Sequence, residues 1–494
     1  MTDLNRRVFL RGSGLALAGG LTAAAPLSAL LTNAGAAAAS RARPSGKEGQ
    51  PLHAPDNGGF GPIAPTPTLD TGEVFLALPA GFEYVAFGQT GTPGSDGFPT
   101  PDRHDGMAAF PGATSSRVRL VRNHERGYSP VPFEGDGEEP LVGNPDYAYD
   151  RTAGGACTNL VFDTAAFRMT DSFISINGTS VNCAGGVTPW GSWLTCEETT
   201  NGPESEFRAP DASETDPIDP RLRYDTRHGY VFEVPAGDAV ATDPQPLVAM
   251  GRFVHEAVAV DPATGIIYET EDTDACGFYR FLPARPGVLE AGGTLQMLAV
   301  KGRPHYDTRT GQTVGEHLPV AWVDVDEPDP ADATLNESAV YQQGRAGGGA
   351  TFARLEGAWY GDGSVLFNST SGGDAEVGQV WEYRPQGQNA GRLTLLFESP
   401  DASVLDAPDN ITVSPRGGLL LCEDGDDEQF LRGLTVDGQI FDFAQNLVSE
   451  NRDKEFAGAT FSPDGSVLFV NIQTPGISFA IRPTADGSWR DGAI

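Results

Sequence analysis

One short pattern returns six times along the chain and restricts its possible folds more than any bulk property does. It reads as a polar, metal-capable residue, a strand, a Pro/Gly turn, a second strand, then a carboxylate or amide. The copies run from Cys183 to Glu198, Glu256 to Asp272, Glu356 to Asn368, Asn410 to Asp424, Gly458 to Asn471 and, more loosely, Asp105 to Glu125. In an antiparallel hairpin the first residue of one strand and the last of the next lie side by side at the same end. Each copy therefore delivers two ligand-type groups to one place, and copies set around an axis merge those places into one.

The turns carry their own mechanism. Short apolar runs are entered through Gly265, Gly363, Gly417 and Gly465, three of them behind Asp261 and Pro262, Pro415 and Arg416, or Pro463 and Asp464. Proline sets φ at the turn entry and glycine takes the conformation that other residues resist. Further strands are expected over 229–234, 277–281 and 378–384. Six hairpins of one pattern over about 400 residues predict an all-β fold, a six-bladed β-propeller with inserted loops. A two-sheet sandwich is the structural alternative. The insertions fall between Glu198 and Tyr230 and between Arg303 and Gln343; long excursions of this kind are commonly functional or solvent-facing.

The first residues differ from the rest. Arg6, Arg7, Val8, Phe9 and Leu10 lead into an Ala/Leu/Gly-rich stretch, so residues 1–39 read as a twin-arginine signal peptide. Residues 40–68 read as a linker or N-terminal strap, and 69–494 as the propeller. The expected location is periplasmic or extracellular. No other run approaches the ~20 apolar residues of a membrane helix, so no membrane anchoring is expected. The formal charge of −34 repels nucleic acid and anionic surfaces, and no nucleic-acid partner is expected. The excess acid is either a solvated coat or a local concentration of carboxylates that needs cations. Five cysteines, an odd number in an exported chain, leave at least one thiol unpaired or shared with something else.

The acids at strand ends are Glu125, Glu197, Glu198, Glu256, Glu271, Asp272, Glu356, Asp409, Glu423 and Asp424. Each alone also reads as a solvated strand end. As a set they cannot all stay ionised at close range without cations, and oxygen-rich clusters suit hard ions such as Ca²⁺ and Fe³⁺. Cys183 stands in the slot that Glu256 and Glu356 hold in later copies. It is either a small buried residue or a thiolate ligand, which would favour a transition metal. The candidate metal ligands are Cys183, Glu197, Glu198, Glu256, Glu271, Glu356, Asp409, Asn410, Glu423 and Asp424. Arg354, two residues before Glu356, shares its strand face; it grips a phosphate or bridges to an acid. Arg354 and Asn123 are the candidate catalytic residues. Alternation sends His124 and His255 to the opposite face from their acidic neighbours. The chain has no GxSxG elbow, HExxH helix or Walker loop.

Arg122, Asn123, His124 and Glu125; Cys183 to Gly186 with Thr188, Pro189, Trp190, Gly191 and Thr195 to Glu198; His255, Glu256 and Ala257; Glu356 and Gly357; and Phe461 to Gly465 together resemble the PhoX family of secreted alkaline phosphatases. The resemblance spans roughly Leu69 to Ile494 and is most specific over Cys183 to Glu198. It implies a six-bladed propeller, exported through the twin-arginine route, that hydrolyses small-molecule phosphate monoesters at a cluster of iron and calcium; the chain is separately expected to be a monomer. The resemblance further implies that Cys183 binds iron, that Glu256 or Glu271 and Glu356 bind iron or calcium, and that Arg354 grips the phosphoryl group. Thr474 stands where the resemblance leads one to expect histidine. A calcium-dependent lactonase, a phosphotriesterase and a binding propeller held by structural ions are the alternatives.

Overall fold

The structure is a computed structural model that describes residues 52–127, 142–206, 223–237 and 241–494. Residues 1–39, expected to be a twin-arginine signal peptide, lie outside the described residues. The described chain is all-β, with one α-helix among the described residues, Ala339–Ala346, in the second insertion. The hairpins form where the turn residues demand them. Gly265, Gly363, Gly417 and Gly465 all have φ between +69° and +104°, and Asp464 Oδ1 accepts the Ser466 amide at 3.0 Å to close one turn.

The strands pair antiparallel into five sheets with a propeller-like arrangement. Six inner strands, His104–Pro111, Asn182–Val187, His255–Val260, Leu355–Gly361, Pro408–Val413 and Phe456–Phe461, each touch the next, and the last touches the first. The sheets do not divide into six equal blades. His317–Asp324, supplied by the second insertion, pairs with Gly391–Glu398 and fuses two hairpin units into one nine-stranded sheet. Ile63–Thr66 and Leu76–Pro79 extend another sheet to six strands, whereas the sheet of Cys183 has three. Phe82–Phe87 completes the last sheet by pairing with Ile477–Pro483.

Between the sheets lies the apolar core. Phe278 stacks on Phe367 with ring centroids 4.4 Å apart, and Trp193 and Trp381 are almost wholly buried. Residues at the entry ends of the inner strands meet at one mouth of the ring.

Candidate metal centre and catalytic cavity

Each inner hairpin breaks its pairing at the same place. The register skips between His104 and Met107, Asn182 and Gly185, His255 and Val258, Leu355 and Ala358, Pro408 and Ile411, and Ala457 and Thr460. A bulge of this kind leaves residues unpaired and re-aims a side chain. The first skipped residues are Asp105, Cys183, Glu256, Glu356, Asp409 and Gly458. The first five line a cavity of about 590 Å³. The second skipped residue is often tiny because the neighbouring inner strand passes close: a Cβ on Gly357 would lie 2.7 Å from the Asp409 carbonyl. Gly458 itself has φ +61°, and a Cβ there would meet the Asp105 carbonyl at 2.4 Å. The last sheet supplies its charge through Glu455 instead.

The second strands complete the cavity with the residue just past their ends. Glu125, Glu198, Asp424 and Gln473 occupy that position and line the cavity. Asp272 occupies it too and comes within ligand distance of Glu198 and Glu356. The residue before each exit points the other way, as the period of two requires. Glu197, Glu271 and Glu423 are buried and receive loop amides. Glu197 accepts from the amides of Ser180, Gly229 and Tyr230 at 2.8–3.1 Å and pairs with His228 at 2.6 Å. Glu271 accepts from the Gly277 amide and the Tyr279 hydroxyl. Glu423 accepts from the amides of Asp406 and Phe430 and from Arg432. None of the three lines the cavity.

Four groups of three side chains place one ligand atom each within 4.8 Å of the others: Cys183, Glu198 and Glu256; Asp105, Glu125 and Glu455; Glu198, Asp272 and Glu356; and Glu256, Glu356 and Asp409. Asp105 Oδ1 and Glu256 Oε1 are buried without a hydrogen-bond partner among the described residues. Such orphans cost free energy unless something else satisfies them, and a carboxylate set at this spacing fits hard cations. Burial first, then like-charged neighbours, holds Asp105, Glu198, Glu256, Glu356 and Glu455 well above the carboxylate range. Burial and Asp424 push Asp409 up to about 8. Burial raises the Cys183 thiol well above its ordinary value, and Glu256 adds to this.

Arg354 sits just before its inner strand in a left-handed conformation, φ +43°. Nε and Nη2 hold Asp272 bidentately at 3.0 Å, and Nη2 also reaches Glu356 at 2.8 Å. Nη1 makes no hydrogen bond to the described residues, so one edge of the guanidinium faces outward from this clamp. Asn123 is fully buried and lies behind the cavity wall. Its Nδ2 donates to the carbonyls of Cys183 and Ala184, and its Oδ1 accepts from Trp193. It thereby fixes the backbone that presents Cys183. Asn410 bonds to Asp409 Oδ1 and accepts the Gly458 amide at 2.6 Å, which ties two inner strands together. His124 and His255 are buried and bond to the Asp102 and Gly251 carbonyls. All five cysteines are unpaired.

Four acids of the cavity, Asp105, Asp426, Asp453 and Glu455, are not among the strand-end acids read from the sequence. Asp105 opens the loosest copy, and Glu455 lies three residues before the slot glycine of its own copy. Arg103 and Lys454 also line the mouth; Arg103 has φ +47° and stands 4.0 Å from Glu125.

The solved structure of Pseudomonas fluorescens PhoX in complex with vanadate, a transition state analogue, has the same fold, with a TM-score of 0.62 and 18% identity over 86% of this chain and 98% of that one. A gluconolactonase from Xanthomonas campestris, XC5397, is more distant, with a TM-score of 0.35 and 11% identity over 79% of this chain and 96% of its own. The WD40 propeller domain of Doa1 gives 0.36 and 8% identity, over 81% of this chain and 97% of that domain. No curated protein matches the sequence. The family described as alkaline phosphatase PhoX matches residues 58–161 and 146–476. The chain therefore belongs to the PhoX family of alkaline phosphatases.

Proposed function

We propose that the chain hydrolyses small-molecule phosphate monoesters in this cavity, with bound iron and calcium as its cations. The observation that carries the reading is the convergence of Cys183, ten carboxylates and Arg354 on one cavity from residues scattered across the sequence. The group containing Cys183 suits iron, because sulfur favours a transition metal; the three oxygen-only groups suit calcium. Bound cations neutralise phosphoryl oxygens and lower the pKa of a neighbouring water. Around them, Arg354 offers its open Nη1 edge to a phosphoryl oxygen, while Asp272 and Glu356 fix the guanidinium plane. Asn123 keeps Cys183 in place rather than touching substrate, which its burial and bonding support.

The ring of six inner strands supports reading the nine-stranded sheet as two joined blades, six in all. Residues 1–39 are read as a twin-arginine leader that exports the folded, metal-loaded monomer to the periplasm or beyond. No helix among the described residues is long and apolar enough to cross a membrane.

The test is metal analysis of the exported protein together with hydrolysis of a simple aryl phosphate. Cys183→Ala is expected to lose iron and activity, whereas Cys196→Ala, whose parent side chain lies in the apolar core, keeps its iron. Iron near zero and no phosphate release from the unsubstituted protein would refute the reading, as would full activity in Cys183→Ala.

A further inference from the structure

A second cavity, of about 680 Å³, adjoins the first and shares Glu198 and Arg354 with it. Its floor comes from the loops after the strands Ser192–Glu197 and Ile267–Glu271. Its outer wall is the second insertion, with Glu337, Ser338 and Tyr341 at the start of the helix Ala339–Ala346. The volume falls within the range of small-molecule sites, roughly 300–1,000 Å³. A group held at Arg354 can therefore extend into this space without leaving the catalytic cavity.

The lining is polar and has a definite sign. Among the described residues, Val254 and Ala275 are its only aliphatic ones, whereas Thr200, Asn201 and Ser338 offer hydroxyl and amide groups. Asp274 and Glu337 are exposed carboxylates with no salt bridge among the described residues. Arg354 is its one cation among the described residues and is already committed to Asp272 and Glu356. Carboxylates accept hydrogen bonds from hydroxyls, and amides and hydroxyls both donate and accept. The same carboxylates repel a second negative charge.

We propose that this cavity seats the alcohol half of the phosphate ester and selects neutral, hydroxyl-rich alcohols, so that sugar and polyol monophosphates are the preferred substrate class. This rests on the phosphatase reading above and adds the identity of the leaving group. Tyr341 is held by a hydrogen bond to Thr351 Oγ1 at 2.8 Å, which gives the wall a fixed face against which a sugar ring can lie.

The experiment compares glycerol 1-phosphate with 3-phosphoglycerate, which differ chiefly by a carboxylate, and glucose 6-phosphate with phenyl phosphate. For the unsubstituted protein, kcat/KM for glycerol 1-phosphate is expected to exceed that for 3-phosphoglycerate by about tenfold. In Asp274→Ala/Glu337→Ala the ratio of kcat/KM for glucose 6-phosphate over phenyl phosphate is expected to fall about fivefold. Glu337→Lys, a change at an exposed position, is expected to narrow the gap between glycerol 1-phosphate and 3-phosphoglycerate. Equal handling of those two substrates, a glucose 6-phosphate ratio unmoved by the double substitution, or a preference for phosphocholine over every neutral alcohol overturns the proposal. Failure of the phosphatase reading shows itself differently, as no phosphate release from phenyl phosphate.

Discussion

Glu197 and Glu198 are neighbours at one strand exit whose carboxylates point to opposite sides, and exchanging each for glutamine separates the two roles. Glu197 is fully buried and accepts four bonds: Oε1 from the Ser180 amide and His228, Oε2 from the Gly229 and Tyr230 amides. In Glu197→Gln one of the two oxygens becomes an NH₂ group facing donors, and the His228 ring loses its anionic partner. Breaking a buried charged pair while stranding its donors costs about 3–5 kcal/mol. Glu198→Gln instead removes one charge from a crowd of like charges, so the metal-free protein is expected to unfold at the same urea concentration or a higher one. Its bound ions should fall, because Glu198 belongs to two of the four donor groups. Urea unfolding of metal-stripped protein gives the first readout, and elemental analysis of the loaded protein gives the second. The division of labour is refuted if Glu197→Gln sheds ions with its unfolding midpoint unmoved, or if Glu198→Gln lowers the midpoint while keeping every ion.

Three further outcomes follow from the geometry. Burial opposes the charge on His228, but Glu197 and Asp150 overcome it and lift the imidazolium to about 9. The folded value lies above the ordinary 6.5, so the stabilisation is complete below pH 6.5 and is lost as pH rises through 9, on the order of 3 kcal/mol. The stability difference between the parent and His228→Gln should therefore shrink from pH 6 to pH 9.5; a constant difference argues against a charged His228. Arg354→Lys keeps the charge but loses the fork that holds Asp272. It is expected to reduce kcat/KM for an aryl phosphate by about a hundredfold, and near-parent kinetics would remove Arg354 from the site. Gly458→Ala places a methyl group against the Asp105 carbonyl at a left-handed φ and should destabilise the protein by about 2 kcal/mol or more; an unchanged midpoint would show that the inner strands can part.

Much of the fold was legible because turn chemistry is local. Pro463, Asp464 and Gly465 announce their hairpin without reference to anything distant, and the observed strands Phe456–Phe461 and Leu468–Ile472 flank that turn. Partition into sheets was not legible: nothing near His317 or Gly391 says that their strands will pair across two hairpin units. The site was half legible for a similar reason. Acids at hairpin ends marked the right neighbourhood, but Glu197 and Glu198, or Asp409 and Asn410, are separated only by pleat and bulge. A single skipped residue decides which of such a pair faces the cavity. Glu455 follows no repeat position at all and becomes visible only when the ring closes.

That closure has a temporal side. The strand Phe82–Phe87 is made long before its partner Ile477–Pro483; the Arg482 to Glu83 contact spans 399 positions. Glu455 arrives with the same late sheet. The nascent chain thus exposes an unfinished bowl of crowded carboxyl groups until this later sheet docks, and loop closure over such a distance is slow. Cations captured by the earlier groups would relieve the repulsion that resists docking, so ion loading and the last step of assembly are coupled events. A chain cut short before residue 455 forfeits both the latch and the carboxylate that the latch carries.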